Sequence, residues 1–357
     1  MKRIVLCCDG TWSTPDQEAD GTPTPTNVTR IAAAVADRDA AGVRQVVLYQ
    51  PGVGTMRGER LLGAAFGLGL SRIVQEAYRD LVRAYEPGDE IFLIGFSRGA
   101  YTARSVAGLI RNCGLLRPEH EDRLDDAYRI YRERTAHPNA VESRLFRRSY
   151  AHPEVGVRFI GVFDTVGSLG LPWSGVPGVR RFNRRFAFHD TRLSSTVGAA
   201  FHAISIDERR KPYEPAVWDL PDPAPGQVVE QVWFAGDHSK VGGGTLARGL
   251  CDITLRWMAG RARDHGLALR PGAFGLDDAV EDADALVPFA PDHRGEIGDA
   301  RNWLFKMWKP HVRELGAAEG GRESVASSAV RRRDDDPAYD PANLAAYLDG
   351  DHCITQV

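Results

Sequence analysis

Residues 90–104 read EIFLIGFSRGAYTAR. The run EIFLI at 90–94 is near-continuously apolar, the pattern of a strand in a parallel sheet covered on both faces. GFSRG at 95–99 follows at once, and helical spacing resumes from Gly99 to about Arg111. A G-x-S-x-G between a strand and a helix is the context of a nucleophile elbow. The turn is so tight that only Gly fits on either side of Ser97, and Ser97 is forced into a strained backbone conformation. That strain lifts its hydroxyl to the end of the sheet. The Arg98 amide, at the positive end of the helix dipole, is placed to donate to an oxyanion. The plainer alternative is an ordinary strand-turn-helix with a buried serine.

Reading outward, RIVLCC at 3–8, QVVLY at 45–49, 155–163 and 228–235 have strand character. Helical spacing covers 27–38 with Asn27 as the cap, 71–85, and 246–264. Alternating strands and helices predict an α/β fold with a mostly parallel central sheet flanked by helices. Two long segments interrupt it. Residues 114–150 are charged and helical, whereas 166–225 are aromatic, Arg-rich and Pro-rich and read as a lid-like insertion. Residues 276–300 are acidic and loop-like. RRRDDDPAYDP at 331–341 is turn-rich, so the boundaries expected are one domain over 1–330 and a tail segment over 331–357.

Composition narrows the function classes. The 357 residues are 43% hydrophobic and 26% charged, which excludes a wholly disordered chain. A formal net charge of -3 gives no case for nucleic-acid binding. Cys7, Cys8, Cys113, Cys251 and Cys353 form no CxxC pair, so neither a zinc site nor a disulfide framework is indicated. No apolar run approaches the roughly 18–20 residues of a membrane span, and the first apolar run is too short for a signal-peptide core. Cytoplasm is the default location, and export by a signal-free machine would leave no trace. Gly242-Gly243-Gly244 lacks a following Walker lysine, and Gly52-Val53-Gly54 falls short of G-x-G-x-x-G. No metal-ligand spacing stands out, and no cofactor is expected.

An activated serine needs a base, and the base needs an orienting acid. In this architecture the chain order is Ser, then Asp or Glu, then His. Asp164 ends the strand VRFIGVF, and His238 follows QVWFA in the loop GDHSKVGGG. Both stand where side chains emerge from a parallel sheet. His202 is the alternate base, and Asp207 and Asp252 are alternate acids. A second oxyanion donor is sought in the amide of Gly10 or Thr11, after the first strand. The competing reading there is a simple strand-end turn.

Taken together, CDGTW at 8–12, TNV at 26–28, GVGT at 52–55, GFSRGAYTAR at 95–104, FDTVG at 163–167, HAISIDER at 202–209, WFAGDHSKVGGG at 233–244 and DITLRWM at 252–258 resemble one family. It is the α/β-hydrolase-like catalytic domain of Tle-type phospholipase effectors of type VI secretion and of related uncharacterised proteins. The resemblance spans about residues 1–330. It implies an α/β-hydrolase-like fold and lipase chemistry. Two departures stand out. The family loop commonly has an acid where Lys240 stands, and the family's later His-Ser-Val is represented by Glu323-Ser324-Val325.

The function expected is a serine hydrolase of carboxylic esters, including lipid or phospholipid acyl esters, acting through Ser97, His238 and Asp164. The partner is then a small ester or lipid, with peripheral membrane contact and no nucleic acid. In the 166–225 segment, Trp173, Phe182, Phe186 and Phe188 beside Arg180, Arg181, Arg184 and Arg185 suit an acyl chain with an anionic head group, or simply form a solvated basic face. Two rivals stand beside this: a catalytically inactive hydrolase scaffold with a binding role, and thioester or peptide cleavage by the same residues.

Overall fold

A computed structural model describes residues 1–10, 13–52, 63–133, 137–166, 193–220, 223–279, 285–299, 301, 309–318, 320 and 322–357, with side chains from 63 to 68 left aside. The strands are β1 (Arg3–Cys8), β2 (Glu18–Ala19), β3 (Thr22–Pro23), β4 (Gln45–Gln50), β5 (Glu90–Phe96), β6 (Val157–Phe163), β7 (Val197–Ser205), β8 (Val228–Phe234), β9 (Glu323–Ala326) and β10 (Ile354–Thr355). Eight of them form one sheet in the order β4-β1-β5-β6-β7-β8-β9-β10. Every pairing in it is parallel, and the separate β2–β3 pair is antiparallel. The fold is α/β-hydrolase-like, with a parallel sheet between helical layers.

Both faces of the sheet are covered, which is why its strands read as apolar runs rather than alternating ones. Ile4, Leu6, Ile91, Leu93, Ile160 and Val162 face one layer. That layer holds α2 (Gly63–Ala84), α3 (Arg98–Cys113) and α4 (Leu124–Arg132). Val5, Cys7, Phe92, Ile94, Phe96, Phe159 and Phe163 face the other, under α1 (Asn27–Ala34) and the helix Gly249–Asp264. Each fully buried large apolar side chain contributes about 1.5–3 kcal/mol. Four of the cysteines are buried in these layers, and Cys353 is exposed.

The first helix differs from its expected start and length. Thr26 is the N-cap, its Oγ1 accepting from the Thr29 N–H at 3.1 Å, and the helix ends at Ala34. Asn27 lies inside. Its Nδ2 donates to Val241 O, Cys251 O and Thr254 Oγ1 at 3.0, 2.9 and 3.1 Å. It therefore ties α1 to the loop that follows β8.

The 166–225 segment is not one insertion. Residues 167–192, with the aromatic and arginine cluster, lie outside the described residues. Val197–Ser205, however, is β7, in the middle of the sheet between β6 and β8. The 114–150 segment carries α4 and α5 (Val141–Tyr150), as its charge and spacing suggested.

Residues 331–357 also depart from a tail. They contain most of a helix (Ser327–Asp335), the helix Ala342–Leu348, and β10, which pairs with β9 at the edge of the sheet. Tyr339 and Leu344 pack with Ile204, Trp233 and Val325 in a third cluster. Leu344 is fully buried. Leu344→Ala is accordingly expected to cost about 2–5 kcal/mol of stability. The shift in urea midpoint measures it, and no shift would mean that this segment is detached from the cooperative unit.

Candidate active site

The strands are in register at their C-terminal ends. Phe96 stands opposite Phe163, Phe163 opposite Ala203, and Ser205 opposite Phe234. The residues that follow each strand therefore meet along one edge, where parallel α/β sheets place their ligand sites. Ser97, Asp164, Asp207 and His238 all emerge there.

Ser97 lies between β5 and α3 with φ 57° and ψ −117°. A positive φ in a non-glycine residue is strained by about 1–3 kcal/mol. The conformation is held because the Ser97 N–H donates to Phe163 O at 3.0 Å and the flanking backbone has no slack. A Cβ on Gly95 would sit 2.6 Å from Gly99 O, and one on Gly99 would sit 2.0 Å from Cys8 O. Asp164 is also left-handed, with φ 38°. Its N–H continues the ladder to Ala203 O at 2.7 Å. Two of the three residues singled out from sequence thus occupy positions whose backbone is fixed by neighbouring strands.

The side chains form one hydrogen-bonded line. His238 Nδ1 lies 2.6 Å from Asp164 Oδ2, and His238 Nε2 lies 2.8 Å from Ser97 Oγ. A carboxylate only accepts, so Nδ1 carries the proton and Nε2 accepts from the serine hydroxyl. His238 opens a one-turn helix (His238–Gly242) capped by Asp237, whose carboxylate accepts from the Ser239 and Lys240 N–H groups. The imidazole packs between the rings of Phe96 and Tyr213, at centroid distances of 4.7 and 5.0 Å. Its backbone N–H donates to Glu208 Oε2 at 3.4 Å.

Asp164 is fully buried. Burial alone would push its carboxyl up. The guanidinium of Arg313 first, and then His238, outweigh that and hold it well below the usual carboxylate range. Arg313 Nη1 donates to Asp164 Oδ1 at 2.7 Å and Nη2 donates to Oδ2 at 3.0 Å. The Ser205 N–H adds a bond to Oδ1 at 3.0 Å. Arg313 was not singled out from sequence. It lies in a stretch without periodicity, 216 residues after Ser97 in the numbering (313 minus 97), and nothing local marks it.

The alternates occupy other roles. His202, on β7, is buried, and its Nε2 accepts from the Thr165 N–H at 3.1 Å. Burial, aided by the charge of Arg104, pushes its pKa down to about 3. It is a neutral ring supporting the turn after Asp164, away from Ser97. Asp207 bridges neighbouring loops, accepting from the Gly236 N–H at 2.7 Å and from Tyr339 Oη at 3.0 Å. Asp252 pairs with buried Arg30 and accepts from the Ala290 N–H.

Gly10 does not present its amide to the serine. Its N–H donates to Asp9 Oδ1 at 2.6 Å. Asp9 Oδ2 in turn accepts from Thr26, Thr29 and Tyr49 at 2.7, 2.8 and 2.6 Å. The Asp9 carboxylate is filled by these donors. Thr11 lies outside the described residues. Arg98 begins α3, in the first turn, where helix N–H groups have no intrahelical acceptor. Burial brings its guanidinium pKa down to about 10, still charged at neutral pH. Lys240 turns away from His238, its Nζ donating to Thr245 Oγ1 at 3.1 Å and Ala247 O at 3.4 Å. The His238 ring has its carboxylate partner in Asp164, not at position 240.

Comparison with known proteins adds a family. An uncharacterised protein of Saccharomyces cerevisiae is 32% identical over 235 residues, covering 58% of this chain and 31% of the yeast protein. The chain thus matches about a third of that relative's length. Among solved structures, an uncharacterised protein from Pseudomonas aeruginosa has 18% identity and a TM-score of 0.46, covering 82% of this chain and 49% of that one. The Tle1 effector bound to the VgrG spike of the type 6 secretion system has 18% identity and a TM-score of 0.38, over 69% of this chain and 51% of that one. The family model for the type VI secretion phospholipase effector Tle1-like catalytic domain matches residues 2–261. That match takes in the elbow, Asp164 and His238, and so this chain belongs to the Tle1-like phospholipase effector catalytic domain family.

Proposed function

We propose that this chain is a serine hydrolase of carboxylic esters, with lipid acyl esters as its substrate class. The observation that carries the reading is the continuous line from Ser97 Oγ through His238 to Asp164, at 2.8 and 2.6 Å. Ser97 attacks the ester carbonyl while His238 Nε2 takes its proton. Asp164 stabilises the imidazolium that forms. His238 then protonates the alkoxide leaving group, and an acyl-Ser97 remains. Water, deprotonated by His238, attacks that acyl group and releases the acid and the free serine.

The oxyanion is assigned to the Arg98 N–H, where the dipole of α3 adds to the hydrogen bond. Of the two amides considered for a second donor, that of Gly10 is held by Asp9, and Thr11 lies outside the described residues. The lipid assignment rests on family membership, a phospholipase effector domain. No helix among the described residues is long and apolar enough to cross a membrane. The contact proposed with a lipid surface is peripheral.

A fluorophosphonate probe tests the serine directly. The native chain is expected to be labelled at Ser97, and Ser97→Ala is expected not to be. Esters and phospholipids of graded acyl length, set beside thioesters and peptides, then fix the bond cleaved. A folded native chain that the probe leaves unlabelled would remove this reading in favour of a binding scaffold.

A further inference from the structure

We propose that Arg313 is a positioning residue for this hydrolase, supplied to the active site by a segment beyond the family match at 2–261. The inference rests on the function proposed above. In a Ser-His-Asp site the acid must stay ionised, and one of its oxygens must point at the imidazole N–H. Asp164 is fully buried, and a buried carboxylate without a cation favours its neutral form. The Arg313 guanidinium meets both carboxylate oxygens with a planar fork. That fork and the Ser205 N–H fix the plane of the carboxylate. Oδ2 is thereby aimed at His238 Nδ1.

The guanidinium is itself held in place. Nη1 donates to Ser205 O at 2.7 Å, and Nη2 also donates to Tyr213 O. The Arg313 carbonyl accepts from Asn343 Nδ2 at 3.1 Å, in the helix Ala342–Leu348. The same Nδ2 also donates to Ile206 O at 3.1 Å. The path from that C-terminal helix to the nucleophile is thus Asn343, Arg313, Asp164, His238, Ser97, each link a hydrogen bond.

The charged and titratable groups around this line come from several elements. Asp164 meets Arg313 and His238, with neutral His202 behind its turn. His238 also faces Glu208, which is paired with Arg210, and the Tyr213 ring over which Arg210 lies. Arg98 is in the field of Tyr213. Among these, Arg313 makes the bidentate bond to the acid. Without it, Asp164 takes up a proton at higher pH and ceases to hold the imidazolium. Earlier protonation of Asp164 moves the low-pH limb of reactivity upward.

The test is the pH dependence of Ser97 labelling by a fluorophosphonate in the full chain, across roughly pH 4–9, where an ordinary imidazole titrates. Arg313→Gln is expected to slow labelling at neutral pH by about 10- to 100-fold, part of the roughly 10²–10⁴ that general-base assistance contributes. Its low-pH limb moves up by about one unit or more. Arg313→Lys keeps the charge, loses the fork and recovers part of both. Asn343→Ala gives a smaller shift of the same sign. If Arg313 only ties residues 309–316 to the sheet, the variants lose thermal stability while rate and limb stay native, and the proposal is overturned. Should Arg313→Gln fail to fold, Arg313→Lys and Asn343→Ala decide it, and native limbs in both overturn it. A native chain unlabelled at Ser97 removes the hydrolase reading and this role with it, an outcome distinct from labelling with unmoved limbs.

Discussion

Ser97→Ala and His238→Ala are each expected to lower the rate of ester cleavage by about 10⁴- to 10⁶-fold, and the double variant by no more than either alone. The reason is that each removes the same event. A serine hydroxyl without its base is a poor nucleophile near neutral pH, and an imidazole without the serine has no proton to take. The 2.8 Å contact between Nε2 and Oγ is the ground for expecting the two side chains to act as one unit. What survives is the contribution of oxyanion donors and substrate binding, which neither substitution touches. Single-turnover rates on one activated ester, for the native chain, both single variants and the double variant, close the cycle. Additive losses, or a loss under about tenfold in either single variant, would sink the shared mechanism.

Gly99→Ala is expected to cost at least about 3 kcal/mol of folding stability, the range of severe overpacking. The added methyl would stand 2.0 Å from Cys8 O and 2.5 Å from Asp9 O. Flexible side chains yield to such contacts, but here the obstacle is backbone. Cys8 ends β1, which is paired on one side with β4 and on the other with β5. The helix carrying Gly99 cannot retreat either, because its Ala100, Ala103 and Val106 are buried in the core beneath it. Relief requires α3 to move off the sheet, which takes Ser97 out of reach of His238. The urea midpoint and the fluorophosphonate labelling rate should therefore fall together. A cost below about 1 kcal/mol would show that the elbow has slack these contacts deny.

The parts of the fold readable from sequence are those whose cause is local. The apolar run before Ser97, the glycines around it and the turn after VRFIGVF each carry their reason within a few residues. His238 was legible because it stands in the short loop after a strand, β8 ending at Phe234. β7 was harder. Its sequence VGAAFHAIS holds Gly and three Ala, poor strand formers in isolation, and its pairing with β6 and β8 decides the matter. The C-terminal segment was misjudged for a related reason. Its sequence reads as turn-rich, yet Arg332 is buried, donating to His293 O and Gly295 O with its guanidinium over the Tyr339 ring. Gly10 was a fair choice for an amide donor by position. What sequence did not reveal is that the neighbouring carboxylate would occupy its N–H. Arg313 carries no local sign at all, because its meaning exists only once Asp164 is buried beside it.

The strand order has a consequence for how the molecule is made. From β5 onward, each later strand of the sheet is laid beside the one before it, always on the same side, ending with β10. A chain emerging from the ribosome can extend this sheet in the order of synthesis, with no earlier strand needing to part for a later one. Each newly finished strand is an open edge only until its successor arrives. The last edge, β10, is two residues long and offers little template for a stray partner. The serine is translated early, its histidine follows only after β8, and the arginine behind the acid comes later still. On the function proposed above, a nascent chain would carry an unprimed nucleophile until the sheet is almost complete.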